Sequence, residues 1–186
     1  MSPGQSVRLF AALELPGEAR AALASWAARV AGREPAVRLV PVASLHVTLV
    51  FLGAQPVGEV AAIAEAVTAS ARPLGPLEIS RAAWLPPRRP GVLVADLAEA
   101  GGAGALTALQ SGLAEALTPW HEPEARGFRP HVTVARVRRG PRIAASARVA
   151  DPPALSFPPS GLVLYRSLLG GEDGPVYEAV ARAPVG

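Results

Sequence analysis

The sequence predicts an α+β fold of two pseudo-symmetric lobes, each an antiparallel-rich sheet with helices on its outer face, facing each other across a central cleft. Two observations carry this reading. The first is a repeated tetrapeptide: His46-Val47-Thr48-Leu49 and His131-Val132-Thr133-Val134 stand 85 positions apart and hold two of the three histidines. The second is that the same shift of 85 lays residues 7–14 over 92–99, both strand-like. Each is followed by an Ala/Leu-rich helical stretch and then by the histidine strand, so each half reads strand, helix, strand. The repeated units are roughly 7–53 and 92–138, within one bilobal domain spanning 1–186.

The elements follow in order. After the strand at 7–14, a helix is expected over 16–30. Pro16 suits its first turn, where the missing N–H would be unpaired anyway, and Gly32 suits its end. The first histidine strand comes next, then a helix over 57–71 ended by Pro73. Residues 77–84 read as a strand, and the turn Pro86-Pro87-Arg88-Arg89-Pro90-Gly91 marks the lobe boundary. In the helix at 103–117, Leu106, Leu109, Leu113, Ala116 and Leu117 recur at helical spacing. A connector then leads to the second histidine strand. The proline-rich 151–159 is a rigid linker or sheet edge, and 161–169 with 176–183 reads as a hairpin joined by 170–175.

Composition narrows the function classes. Half of the 186 residues are hydrophobic and 18% are charged, enough for a sizeable core and against intrinsic disorder. No apolar run reaches the ~18 to 20 residues of a membrane span. The first eight residues lack a secretory pattern. A soluble, cytoplasmic protein without membrane attachment is expected. With no cysteine, disulfides, thiolate zinc sites and a Cys nucleophile are excluded. All 18 basic residues are Arg, so there is no Schiff-base lysine and no phosphate-loop lysine. The net charge of +3 permits an anionic substrate without demanding one.

The repeated motif carries the chemistry. In a strand, residues i and i+2 share a face, about 6.6 Å apart. Each copy therefore sets one imidazole and one hydroxyl on one surface and two aliphatics behind it. Packing preserves apolar residues in a duplicated lobe, but His and Thr are not core residues. Their joint repetition points to function. Imidazole titrates near neutrality, so one His can accept a proton while the other donates one. Splitting a phosphodiester needs such a base and acid, plus donors for the non-bridging oxygens. Thr48 and Thr133 supply hydroxyls and Arg136 a charged donor. In a regular strand Arg136 would face away from His131, so a bulge is needed to bring it in. No acidic residue stands at ligand spacing beside either motif, and His121 has only Ala36 as its mate under the shift. His121 reads as a solvent-facing loop residue, and no metal is expected.

These residues resemble a known group. Leu45-His46-Val47-Thr48-Leu49-Val50-Phe51-Leu52-Gly53 and Phe128-Arg129-Pro130-His131-Val132-Thr133-Val134-Ala135-Arg136 are similar to the two signatures of the 2H phosphoesterase superfamily. Within it, the chain most resembles the RNA 2′,3′-cyclic phosphodiesterases, also called 2′-5′ RNA ligases. Arg8-Leu9-Phe10-Ala11-Ala12-Leu13 is similar to the family's first strand, and Leu164-Tyr165-Arg166-Ser167 with Gly174-Pro175-Val176-Tyr177 to its closing hairpin. The resemblance implies a catalytic pair, His46 as proton donor and His131 as base, with Thr48 and Thr133 holding the phosphate. It implies RNA ending in a 2′,3′-cyclic phosphate as substrate, tRNA fragments among them, and a 2′-phosphate product. It also implies ATP-independent 2′-5′ ligation, no cofactor and no obligate protein partner. Where members often carry a basic residue this chain has Val50, which removes one RNA-backbone contact from the first lobe.

Other residues bear on substrate. Phe51, Phe128 and Tyr165 can stack on a base; for Phe51 core packing is the first expectation. Arg88-Arg89 reads as a solvated turn, while Arg138-Arg139, with Arg142, directly follow the second motif and can reach RNA phosphates. Trp26 and Trp84 read as core or rim. Two other functions compete: hydrolysis of a small cyclic phosphate such as ADP-ribose 1″,2″-cyclic phosphate, and a non-catalytic RNA-binding module. Retention of both His and both Thr disfavours the last.

Overall fold

The structure, a computed structural model, describes residues 5–102, 104–122, 127–140, 143, 149–168 and 176–185. The chain opens with β1 (Ser6–Glu14), passes through α1 (Gly17–Ala31) and the short β2 (Val37–Leu39), and returns as β3 (His46–Pro56). Then come α2 (Val60–Ala69) and the antiparallel pair β4 (Leu77–Leu85) and β5 (Val92–Glu99). Next, α3 (Ala105–Ala116) leads to β6 (His131–Val137) and the two-residue β7 (Ser156–Phe157). The antiparallel pair β8 (Gly161–Leu168) and β9 (Val176–Ala183) closes the chain. Leu169, the turn at 170–175, Ala103 and Arg142 lie outside the described residues.

The described strands pair antiparallel in the order β7-β4-β5-β6-β3-β1-β8-β9, with β2 beside the far end of β6. The expected α+β architecture of two antiparallel halves is present. The halves join at the centre through one residue pair, Val47 with Val132. Beyond it β3 and β6 diverge, and β6 takes β2 as its neighbour along Ala135, Arg136 and Val137. The two histidines, His46 and His131, flank that junction. The proline-rich 151–159 contains β7, which is an edge strand as the reading allowed.

The helices behave less simply than the repeat suggests. In α1 the residues Ala19, Leu23, Trp26, Ala27 and Ala31 form one buried stripe at helical spacing. That stripe packs mainly against β2 and β6, beneath the second half of the sheet. The Leu106, Leu109 and Leu113 stripe of α3 packs on β3, beneath the first half. The two helices are exchanged: each covers the half that it does not follow in sequence. The α2 helix covers β8 and β9. Trp26 is core, and its indole N–H donates to the Ala150 carbonyl at 3.3 Å.

Register also refines the repeat. Pairing sets Glu14 opposite His46 and Asp96 opposite His131. The first strands thus correspond at a shift of 82, while the histidine strands keep 85. Glu99, which the uniform shift laid over Glu14, has another task. Its carboxylate accepts the Ala105 and Leu106 N–H groups at 2.8 and 2.6 Å, capping α3 where the helix dipole favours negative charge. Among the described residues no helix is long and apolar enough to cross a membrane.

Candidate active site

Two bulges shape the site. Along β1, Ala11 pairs with Val50 and Ala12 with Thr48, leaving Leu49 as an extra residue. Along β5, Leu93 pairs with Ala135 and Val94 with Thr133, leaving Val134 extra. Both extra residues sit three places past a histidine. A bulge adds one residue without advancing the pleat, so the fifth residue after each histidine returns to the histidine face. That turns Arg136 to the His131 face, as the sequence required of a bulge, and Phe51 to the His46 face. Phe51 is not core: it is 58% exposed. The carbonyls of the bulged residues are satisfied from outside the ladder. Leu49 accepts from the Gln110 side chain at 3.4 Å, and Val134 from the Val40 N–H at 2.9 Å. Val50 is buried on the opposite face. A further bulge at Leu52 is turned by Gly53, whose φ of 70° lies in the left-handed region.

His46 and His131 each open their strand and are held alike. The Nδ1–H of His46 donates to the Ser44 carbonyl at 2.7 Å, and that of His131 to the Arg129 carbonyl at 2.7 Å. In both the acceptor lies two residues upstream. This fixes the tautomer and leaves Nε2 to act as base or, once protonated, as acid. The Nε2 of His46 accepts from the Thr48 hydroxyl at 3.0 Å. Antiparallel pairing at Val47 and Val132 sets His46 across from Thr133 and Thr48 across from His131. Burial pushes the pKa of His46 down from 6.5 to about 4, and the charges of Arg136 and His131 push the same way against the Ser44 hydrogen bond. His46 is therefore neutral at pH 7.

The flanks differ. Around His46 the wall is aromatic: ring centroids of Phe10, Tyr177 and Tyr165 stand 4.9, 5.2 and 6.2 Å from the imidazole. Phe51 lies 6.2 Å from Phe10. Behind them Glu14 accepts from Arg182 at 3.1 and 3.2 Å and from the Tyr165 hydroxyl at 3.5 Å. Burial, and then the Glu14 charge, raise the Tyr165 pKa. Around His131 the wall is ionic. Arg129 grips the buried Asp96 with two bonds of 2.8 Å, and Arg81 adds one of 2.7 Å. Burial works to raise the Asp96 carboxyl, but the bonds from Arg129 and Arg81 outweigh it and hold it below the usual range.

Of the residues the sequence singled out, His46, Thr48, His131, Thr133, Arg136, Phe51 and Tyr165 share the cleft face. Phe128 packs partly buried against the core. The sequence reading missed Phe10, Tyr177, Asp96 and Glu14. Alternation along β1 puts Phe10 and Glu14 on one face, which was a usable signal; Asp96 was hidden by the uniform shift. Among the described residues no group of three or more His, Asp or Glu side chains could hold a metal ion.

A single antiparallel sheet bearing two His-x-Thr strands defines the class. The chain belongs to the 2′-5′ RNA ligase superfamily, whose sequence profile matches residues 15–171. The resemblance of the chain to the 2H phosphoesterases is thereby borne out. It is similar to an RNA 2′,3′-cyclic phosphodiesterase from Geobacillus stearothermophilus, 29% identical over 95% of this chain. The chain spans 56% of the length of that relative. Among solved structures it is similar to TT0787 of Thermus thermophilus, 31% identical with a TM-score of 0.73, covering 96% of this chain and 97% of that one. It is also similar to E. coli LigT complexed with NADP+, 26% identical with a TM-score of 0.74, covering 97% and 99%.

Proposed function

We propose that the protein hydrolyses RNA 2′,3′-cyclic phosphate ends to 2′-phosphates without a metal, using His46 and His131 as the acid/base pair. The observation that supports this above all is the matched pair of imidazoles, each with Nδ1–H locked on a carbonyl two residues upstream and Nε2 left for chemistry. The phosphate sits between Thr48 and Thr133, with Arg136 neutralising its charge. His131 removes a proton from water as the water oxygen attacks phosphorus. The bond from phosphorus to the 3′ oxygen breaks, and His46 gives that oxygen its proton. His46 is neutral in the empty site, so it takes up this proton when the anionic phosphate arrives and favours the imidazolium. A ribose 5′-hydroxyl in place of water gives a 2′-5′ linkage by the same steps. The aromatic wall beside His46 supplies a face on which the terminal base stacks. LigT, a relative by fold and sequence, is known in complex with the adenine nucleotide NADP+.

The deciding experiment is incubation of an oligoribonucleotide bearing a 2′,3′-cyclic phosphate with the protein in EDTA, followed by identification of the product end. A 2′-phosphate is expected. A 3′-phosphate, or activity that requires added metal, would falsify the reading.

A further inference from the structure

The second half carries a run of arginines that begins at Arg136 and continues beyond the residues the two-histidine chemistry uses. Arg136, on the cleft face, is followed by Arg138 and Arg139. Across the ladder Arg38 pairs directly with Arg136, so both guanidinium groups face the same side. Arg38, Arg136, Arg138 and Arg139 line an open groove of about 520 Å³. A second groove of about 570 Å³ shares Arg138 and Arg139 with the first and is continued by Arg88 and Arg89. Among the described residues no acidic side chain lines either groove. The backbone beneath is pinned: the Arg138 N–H donates to the Ala36 carbonyl at 2.7 Å and the Val137 N–H to Gly91 at 2.8 Å. The turn bearing Arg88 and Arg89 is closed by the Gly91 N–H on the Leu85 carbonyl at 2.7 Å.

A track of arginines, open along its length and beginning at Arg136 on the histidine strand, suits an extended polyanion rather than one small anion. Arginine is also the side chain whose planar fork matches phosphate best. We propose that this track binds the sugar-phosphate backbone of the nucleotides 5′ of the cyclic end, running from Arg136 past Arg138 and Arg139 to Arg88 and Arg89. The assignment to RNA rests on the function proposed above. It makes the protein an enzyme of oligonucleotide ends rather than of mononucleotides.

The test compares cytidine 2′,3′-cyclic phosphate with a ten-nucleotide RNA ending in the same cyclic nucleotide. The wild-type chain is expected to prefer the decamer in kcat/KM by about tenfold or more, and added NaCl erodes that preference. In the double variant Arg138→Ala/Arg139→Ala the preference collapses while turnover of the mononucleotide is unchanged. Arg138→Lys/Arg139→Lys, which keeps the charges, retains much of it. A labelled decamer ending in a 2′-phosphate gives affinity without turnover. Its salt slope falls by about 0.7 for each lost phosphate contact. A preference or an affinity that survives the double alanine variant overturns the track, and so does a wild type indifferent to length. Equal competition by an oligoglutamate of the same length overturns the assignment to RNA. Absence of turnover on both substrates sinks the catalytic reading instead, and the track then stands or falls on the decamer affinity.

Discussion

The two histidines occupy matching places on matching strands, yet their neighbourhoods have diverged. The fifth residue after His46 is Phe51; the fifth after His131 is Arg136, and matching bulges turn both into the cleft. The acid opposite His46 is Glu14, tied to Arg182 and Tyr165; the acid opposite His131 is Asp96, clamped by Arg129 and Arg81. One half is thus a stacking wall and the other a charged one. The backbone supplies the symmetric part of the chemistry, a tautomer-locked imidazole from each side. Side chains at equivalent positions supply the asymmetric part, a face for the base and charge for the phosphate.

The largest effects should come where the halves are alike. His46→Ala and His131→Ala are each expected to lower cyclic-phosphate turnover by a factor on the order of 10² or more while RNA binding is largely kept. Because burial holds His46 near 4 in the empty site, its imidazole should titrate near pH 4 in the free protein and move upward when an RNA 2′-phosphate end is bound, as read by NMR. A midpoint near 6.5 in the free protein would break this account. A smaller, asymmetric response is expected at the matched positions Phe51 and Arg136. Arg136→Ala should lower kcat roughly 10- to 100-fold by removing a donor from the transition state. Phe51→Ala should raise KM about fivefold or more, with kcat kept, by removing a stacking face. Steady-state kinetics on the RNA substrate separate the two; equal effects on kcat would erase the distinction between the halves.

The smallest effect is on stability. Asp96→Asn should cost about 1 to 3 kcal/mol at pH 7, seen in urea unfolding, because it weakens charge-assisted bonds from two partly exposed arginines. The sign with pH follows from a folded-state carboxyl held below its unfolded value. The contribution is fully present above the ordinary carboxylate range and is lost as pH falls through the folded value. The gap between wild type and variant should therefore narrow in acid. A gap that is constant with pH would mean that the Asp96 charge does not stabilise the fold.

Much of this was readable in advance because strands and helices leave periodic marks. The paired His-x-Thr motifs mark the candidate site, and the leucine spacing marks α3. Period-two alternation has no mark for an inserted residue, so it sent Phe51 to the core and left Arg136 waiting for a bulge. A single shift of 85 could not register that the second connection is three residues longer than the first. It therefore paired Glu14 with Glu99, a helix cap, and passed over Asp96. Which sheet a helix covers is also invisible to periodicity, since the stripe on α1 fits either underside. The short β2 and the contact between Tyr177 and His46 arise from long-range pairing that no local pattern carries.

The exchange of α1 and α3 has a consequence of its own. The α1 and α3 helices each set an apolar stripe on a strand encoded on the far side of the 86–91 turn, β6 and β3 respectively. A chain severed there would yield two fragments, one in which α1 keeps β2 but loses β6 and one in which α3 loses β3. Separate, they are set to stick indiscriminately; together, they can interlock. The duplication has become a clasp, and neither leaf of it is a miniature of the whole.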